Sequence, residues 1–185
     1  LEKYGLTPQQ YPDFAALRPE KNHAMFLNVA ARLHTQVPEA VFVVVGDGPL
    51  RPELERQAQE CGLSHRVRFL GTRSDTPELF NLFDVTVLTS NNEASPVSIL
   101  ESLACGTPLV ATHVGSVAET VVEGKTGYLV PVGGILEATE RISSLIANSL
   151  EAEEMGRRGR NLVLRDWSLG GMVRGYEELL EKLYC

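Results

Sequence analysis

Two glutamates lie eight positions apart in the stretch NNEASPVSILE, residues 91–101. Glu93 is in a polar, loop-like segment, whereas Glu101 lies inside an apolar pattern that is typical of a helix. Carboxylates accept hydrogen bonds from vicinal hydroxyls, so two of them at different depths of one pocket suit a polyol. A nucleotide-sugar fits this pattern, because it has hydroxyls at each end and a diphosphate between them. The alternative is that Glu93 is a turn residue and Glu101 a surface residue.

The residues between the two glutamates favour an anion site. Pro96 suits the first position of a helix, where its missing N–H costs nothing, and Ser95 before it is able to cap that helix. The free amides near Val97 and Ser98 would then point at the ends of the strands, which is the standard geometry for binding a phosphate.

Apolar runs alternate with helix-like segments along residues 13–131. The β-branched run AVFVVVG is the clearest predicted strand, and TPQQYPD near the start reads as turn-rich. Such alternation predicts an α/β fold with a Rossmann-like parallel sheet and helices on both faces. The predicted strands span 13–17, 40–46, 66–71, 84–90, 107–112 and 127–131; the predicted helices span 21–36, 50–61, 76–83, 96–105 and 116–123.

Residues 133–185 read as three C-terminal helices, over 133–148, 150–164 and 168–184. We predict a single domain over residues 1–185, with a poorly defined segment at 1–12. The middle C-terminal helix is basic, and its arginines indicate either a solvated face or an interface with a membrane or partner. These arginines are Arg157, Arg158, Arg160 and Arg165.

Other loops after the strands carry candidate ligand-binding groups, because ligands bind at the carboxyl ends of parallel strands. Lys21 in RPEKN is a candidate clamp for a diphosphate. The backbone of the loop from Gly71 to Arg73 is suited to pairing with a base, or is an ordinary loop. GDGP resembles a dinucleotide fingerprint, but Arg51 stands where its third glycine belongs. This disfavours an NAD-dependent dehydrogenase and favours a tight turn before a helix.

Composition excludes several classes of protein. The 185 residues carry a net charge of −7, which argues against a nucleic-acid partner. The three cysteines have wide spacings, so we expect neither disulfides nor a zinc site. We therefore expect a reducing, cytoplasmic location. His113 has no nearby ligand partner in the sequence, and we interpret it as structural. No apolar run is long enough to span a membrane, although peripheral association is compatible with the sequence.

Six segments occur in a familiar order: LRPEKN, GDGP, VRFLGTRSD, NNEASPVSILE, SLACGTPLVATHVGS and EGKTGYLVP. Together they resemble the C-terminal, donor-binding half of GT-B retaining glycosyltransferases of group 1. The resemblance covers residues 15–184. It implies a hexosyltransferase that uses a nucleoside diphosphate sugar, with UDP-sugar expected from the frequency of uridine in the family. It also implies transfer without a metal or any other cofactor.

The resemblance also implies roles for individual residues. Glu93 would contact the hydroxyls of the donor sugar, and Lys21 would neutralise the leaving diphosphate. Glu101 would hold the ribose, and the loop from Gly71 to Arg73 would face the base. The backbone around Ala94, Ser95, Pro96 and Val97 would support the sugar and the diphosphate.

The chain departs from the family pattern in three respects. Ala16 stands five positions before Lys21, where the family commonly has an arginine, and Arg18 is out of register with it. Ala94 replaces the usual glycine after Glu93, where a positive φ would be harder to adopt. The N-terminal domain that binds a glycan or lipid acceptor has no counterpart, and the chain begins with Leu1, so we expect a piece of a longer protein. These departures leave a non-catalytic binding or interaction module as the alternative function.

Overall fold

The computed structural model of the chain describes the backbone of residues 10–14 and all of residues 16–184. In this part of the chain the β-branched and apolar runs form six short strands. Every ladder between them is parallel. The strands are β1 (Gln10–Phe14), β2 (Val41–Val45), β3 (Val67–Gly71), β4 (Thr86–Leu88), β5 (Leu109–Thr112) and β6 (Gly127–Val130).

The strand order reverses once across the molecule. Ladders join β1, β2 and β3 into one sheet and β4, β5 and β6 into another, and β1 lies beside β4. The resulting order is 3-2-1-4-5-6, which is the Rossmann order. The predicted α/β fold with a Rossmann-like parallel sheet is therefore confirmed. Its reversal point lies between the loops that follow β1 and β4.

Helices cover both faces of the sheet, as the fully buried strand β2 requires. Phe42 and Val44 face the core beneath α1, α2 and α6, whereas Val43 packs against Leu79 and Phe80 on the opposite face. The helices are α1 (His23–Gln36), α2 (Arg51–Glu60), α3 (Thr76–Phe80), α4 (Val97–Cys105), α5 (Val117–Thr120), α6 (Ile135–Ala147), α7 (Ser149–Asp166) and α8 (Leu169–Tyr184), with a 3-10 helix at Pro19–Lys21.

The N-terminal strand is earlier than we predicted. β1 spans Gln10–Phe14 instead of 13–17, and it includes Pro12 from the segment that we interpreted as turn-rich. Its five residues are in register with Val41–Val45, so pairing with β2 overrides the local turn preference. Leu17 lies beyond the strand because its amide and carbonyl bond to Asp47 and Leu50 of the loop after β2.

Glycines permit α7 to pack closely against α4. A Cβ at Gly156 would lie 1.8 Å from the carbonyl oxygen of Gly106, the residue that ends α4 with φ 80°. A Cβ at Gly159 would lie 2.5 Å from the side chain of Leu103. The two helices therefore approach each other at a distance that only glycine allows on the α7 side.

α8 has no buried residue, although its apolar residues recur every three or four positions, as on one face of a helix. Its exposed apolar side chains include Leu169, Met172, Tyr176, Leu179 and Leu183. Among the described helices, none combines the length and hydropathy that crossing a membrane requires.

Candidate functional site

Lys21 and Glu93 meet where the strand order reverses. Lys21 ends the 3-10 helix after β1, and Glu93 lies in the loop after β4. The Nζ atom of Lys21 is 2.7 Å from Oε1 of Glu93, and the Glu93 side chain is only 6% exposed. A carboxylate this deeply buried requires a partner, which Lys21 supplies. The structure thus brings the two predicted catalytic residues together.

Ser90 also holds the Glu93 carboxylate in place. Its fully buried hydroxyl donates to Oε1 of Glu93 over 2.6 Å, and its own carbonyl accepts a 2.6 Å hydrogen bond from the hydroxyl of Thr112. Sequence reasoning missed Ser90. The available signal was a hydroxyl residue at the end of a strand, three positions before a candidate functional carboxylate.

The loop after β5 supports the backbone of the Glu93 loop. Gly115 has φ 49°, and a Cβ built on it would lie 1.7 Å from the carbonyl oxygen of Glu93. The hydroxyl of Ser116 donates to the carbonyl of Ala94. The sequence analysis named neither residue as part of the site.

Two asparagines and a threonine join the loops after β1 and β4. Asn22 donates to the side chain of Asn91 over 2.9 Å, and the amide of Asn91 donates to the carbonyl of Glu20. The hydroxyl of Thr89 donates to the carbonyl of Asn22 over 3.0 Å. Asn22 also caps α1 and has φ 49°, in the left-handed region that asparagine tolerates. These bonds hold Lys21 against the Glu93 loop.

The start of α4 differs from our prediction. The helix begins at Val97, Pro96 is its N-cap residue, and Ser95 makes no side-chain cap bond. Pro96 is buried with an extended backbone (ψ 105°), so the chain enters the helix one residue later than predicted. Within the described residues the amides of Val97 and Ser98 have no acceptor, and that of Ile99 bonds to Pro96. The free amides that we predicted at this end of the helix are therefore present.

Ala94 does not strain the loop. Asn22 is the one non-glycine residue with a positive φ in the part of the chain that the structure describes. Ala94 thus lies in an ordinary region of backbone space, and the glycine that is usual at this position is not required for the observed conformation.

Glu101 lies inside α4, beyond its first turn, as predicted. Its side chain is exposed at the surface, and within the described residues no hydrogen-bond donor or cation pairs with it. Partial desolvation raises the pKa of its carboxyl group. An unpaired carboxylate of this kind is available to accept hydrogen bonds from a ligand.

The loop after β3 has its own internal order. Gly71 ends the strand with φ 68°, and its carbonyl accepts a 2.9 Å bond from the amide of Gly46. Arg73 pairs with both carboxylate oxygens of Asp75, at 2.9 and 2.7 Å, in an intraloop contact that we did not predict. The backbone of this loop lies at the same edge as the GDGP turn, where a Cβ at Gly48 would clash with Leu17.

Other candidate groups lie outside this arrangement. Burial raises the pKa of the Cys105 thiol, at the last residue of α4, which disfavours a nucleophilic role. The side chain of His113 is exposed, while its amide donates to the carbonyl of Val130. In the described residues no group of three histidine, cysteine, aspartate or glutamate side chains is arranged to hold a metal.

Comparison with known proteins matches residues 8–162 to the family described as Glycosyl transferases group 1. The chain belongs to this family. Among curated relatives, it is 31% identical to N-acetyl-alpha-D-glucosaminyl L-malate synthase of Bacillus anthracis, over 80% of the chain and 39% of the relative. It is 30% identical to a GDP-mannose-dependent mannosyltransferase of Mycolicibacterium smegmatis, over 90% of the chain and 46% of the relative. The chain thus spans less than half the length of these relatives.

Solved structures share the fold of this group 1 chain. A structure of Anabaena Alr3699/HepE in complex with UDP and glucose superposes with a TM-score of 0.90 and 25% identity, over 97% of this chain and 50% of that one. The C-terminal domain of the group 1 protein LpcC from Francisella tularensis superposes with a TM-score of 0.83 and 22% identity, over 91% of both chains. The second likeness shows that a solved domain of nearly the same extent has this fold.

Proposed function

We propose that the chain is the donor-binding domain of a retaining glycosyltransferase that transfers a hexose from a nucleoside diphosphate sugar to a glycan or lipid acceptor. The observation that carries the proposal is the Lys21–Glu93 ion pair at the reversal point of the sheet. Open parallel sheets bind ligands at this crevice. Membership of the group 1 family supports the reaction class.

The diphosphate would lie between Lys21 and the start of α4. The Lys21 ammonium has three N–H donors, so it would bind a phosphate oxygen while it keeps its bond to Glu93, and the free amides of Val97 and Ser98 would meet the same group. The leaving nucleoside diphosphate gains negative charge as the glycosidic bond breaks. A fixed cation and oriented amides stabilise that charge in the transition state.

Glu93 would orient the transferred sugar. Its Oε1 atom is engaged by Lys21 and Ser90, so within the described residues Oε2 is the atom left to accept hydroxyl protons. Glu101 would accept the ribose hydroxyls, and the backbone of the loop from Gly71 to Arg73 would face the base. The backbone of Ala94, Ser95 and Pro96 would line the space between sugar and diphosphate.

We further propose uridine as the base and the cytoplasm as the location. The Anabaena structures contain UDP or UDP-glucose, which supports uridine, whereas the mycobacterial relative is GDP-mannose-dependent. Cys61 and Cys105 are free thiols, which agrees with a reducing compartment. The acceptor would be bound by a domain preceding this one, because the chain spans only about half of its relatives.

Amide NMR of the labelled chain, titrated separately with UDP, GDP and ADP, tests the donor site. We expect saturable shifts at Lys21, Arg73, Val97 and Glu101 with UDP. A response to GDP alone would support the proposed donor site but show that the base is guanine instead of uracil. No response to any nucleotide, in this chain and in the longer protein, would overturn the proposal and favour the non-catalytic module.

A further inference from the structure

A basic groove lies between α7 and the segment that precedes β6. The groove has a volume of about 420 Å³. Its cationic side chains are those of Lys125, Arg157, Arg158 and Arg165, and Val122, Thr126, Asn161 and Leu162 complete its lining. A concentration of four cations is unexpected in a chain whose net charge is −7.

Local carboxylates neutralise only part of this charge. Arg157 and Arg158 share one partner, Glu154, at 2.7 and 2.9 Å. Arg165 pairs with the adjacent Asp166. Lys125 is exposed, and within the described residues it has no ion-pair partner. Four cations therefore face two carboxylates, and the groove keeps a net positive charge.

The position of the groove separates it from the donor site. Lys125 and Thr126 come directly before β6, at the amino ends of the parallel strands. Lys21 and Glu93 follow strands, at the carboxyl ends. A ligand in the groove would therefore leave the donor site open to solvent at the opposite end of the sheet.

Exposure of the cations decides which kind of anion fits. The side chains of Arg157, Arg158 and Arg165 are 62%, 47% and 72% exposed, so water competes strongly for a single soluble anion. A dense layer of anionic headgroups engages all of the cations together. Val122, which is 40% exposed, adds an apolar side chain at the same groove, as in proteins that bind at a lipid interface.

We propose that this groove docks the domain on a membrane surface by binding the phosphate headgroups of anionic phospholipids. The guanidinium N–H groups that Glu154 and Asp166 leave free would donate to phosphate oxygens, and the Lys125 ammonium adds a further point charge to the lining of the groove. The surface acts independently of nucleotide, so it does not depend on the donor-site assignment.

Vesicle co-sedimentation of the 185-residue chain tests the proposal. We expect binding to phosphatidylcholine vesicles that contain phosphatidylglycerol, and none to phosphatidylcholine alone. Binding should decline between about 0.01 M and about 1 M salt, because the Debye length falls from about 30 Å to about 3 Å. Equal binding to both vesicle types, or to neither, would overturn the proposal.

A charge-matched pair of variants locates the surface. Lys125→Ala with Arg158→Ala should weaken vesicle binding by about thirtyfold, since each basic residue near an anionic surface changes the constant by about fivefold. Arg32→Ala with Arg56→Ala removes the same charge from exposed positions on α1 and α2 and should change binding less than twofold. Equal losses in both variants would refute the groove as the binding surface. Circular dichroism establishes that each variant is folded.

Discussion

Lys21 and Glu93 are 72 residues apart in the chain, and a 2.7 Å ion pair joins them at the reversal point of the sheet. Lys21 lies in the segment after β1 and Glu93 in the loop after β4. Hydrogen bonds of Asn22, Asn91 and Thr89 join these two segments. The pair is therefore arranged before any donor arrives. On the proposed function, Lys21 would attract the diphosphate and Glu93 would repel it, and this difference can be measured.

Neutralising Lys21 and Glu93 should have opposite effects on nucleotide affinity. Lys21→Ala should weaken UDP binding by at least about tenfold, because hydrogen bonds to charged groups contribute about 1.5–3 kcal/mol. Glu93→Gln should leave UDP binding unchanged or strengthen it, because it removes a negative charge next to the diphosphate. Isothermal titration calorimetry of the isolated chain measures both, with Lys182→Ala on α8 as the control for loss of one cation.

In the longer protein the same two variants should both reduce transfer. Glu93→Gln would lower the turnover number while preserving affinity for UDP, since its proposed role concerns the sugar. If Glu93→Gln retained full turnover, the role that we propose for Glu93 would be wrong even where UDP binding persists.

Glu101→Gln should slightly raise the stability of the fold at pH 7 and slightly lower the affinity for UDP. The pKa of Glu101 is raised, so the folded chain holds this proton more tightly than the unfolded chain does. Its contribution to stability is present below the unfolded pKa of about 4.3 and is lost as the pH rises through the folded pKa. Glutamine mimics the protonated form, so the variant should unfold at a slightly higher temperature at pH 7 and at the same temperature near pH 3.

Calorimetric unfolding scans at the two pH values measure this difference. UDP affinity should fall in the same variant because the amide is a poorer acceptor for ribose hydroxyls. A variant that is stabilised equally at both pH values would contradict the electrostatic explanation.

Gly115→Ala should damage both stability and the site. Its φ of 49° costs an alanine about 1–2 kcal/mol, and its Cβ would also overlap the Glu93 carbonyl. We expect a total loss of about 2–5 kcal/mol, because overpacking adds about 1–3 kcal/mol to the backbone cost. Gly124→Ala is the matched control, since Gly124 has φ 68° and open space around it.

Urea unfolding of the two glycine variants separates backbone strain from steric overlap. Gly124→Ala should lose only the unfolding free energy that a positive φ costs an alanine. Equal losses in the two variants would mean that the Gly115 loop moves away from Glu93 without cost, and the supporting role of this loop would then be rejected.

Alanine at two helical glycines should change stability in opposite directions. Gly156→Ala forces α7 away from Gly106 and should destabilise the fold by about 1–3 kcal/mol. Gly175→Ala in α8 has open space and a helical backbone, so it should stabilise that helix by about 0.5–1 kcal/mol. Thermal unfolding followed by circular dichroism compares the two. A destabilising Gly175→Ala would show that α8 is not solvated as the structure places it.

Sequence patterns predicted the sheet well wherever a strand was buried on both faces. The run at 40–46 is continuous and β-branched, and it forms β2 within one residue of the predicted start and end. β1 was misplaced, because Pro12 and its polar neighbours have no strand signal of their own and pair only because β2 provides a partner. Local propensity therefore failed where a long-range contact determined the structure.

The site was predictable in its residue types and less so in its contacts. Spacing indicated Glu93, Glu101 and a helix start near Val97, and the loop after the first predicted strand indicated Lys21 as a candidate clamp for a diphosphate. Ser90 and Gly115 escaped prediction because their importance depends on the packing of separate loops. The Arg73–Asp75 pair is different: its members are two positions apart, so the sequence did contain the signal for it.

The reversal of strand order also affects how the domain unfolds. Lys21 belongs to the half built on β1, β2 and β3, whereas Glu93 belongs to the half built on β4, β5 and β6. A donor that contacts both residues binds only when both halves are folded. On the proposed function, its binding free energy would penalise the opening of either half, and the two halves would exchange their amide hydrogens as one unit. A bound donor would thus act as a non-covalent cross-link between the two halves.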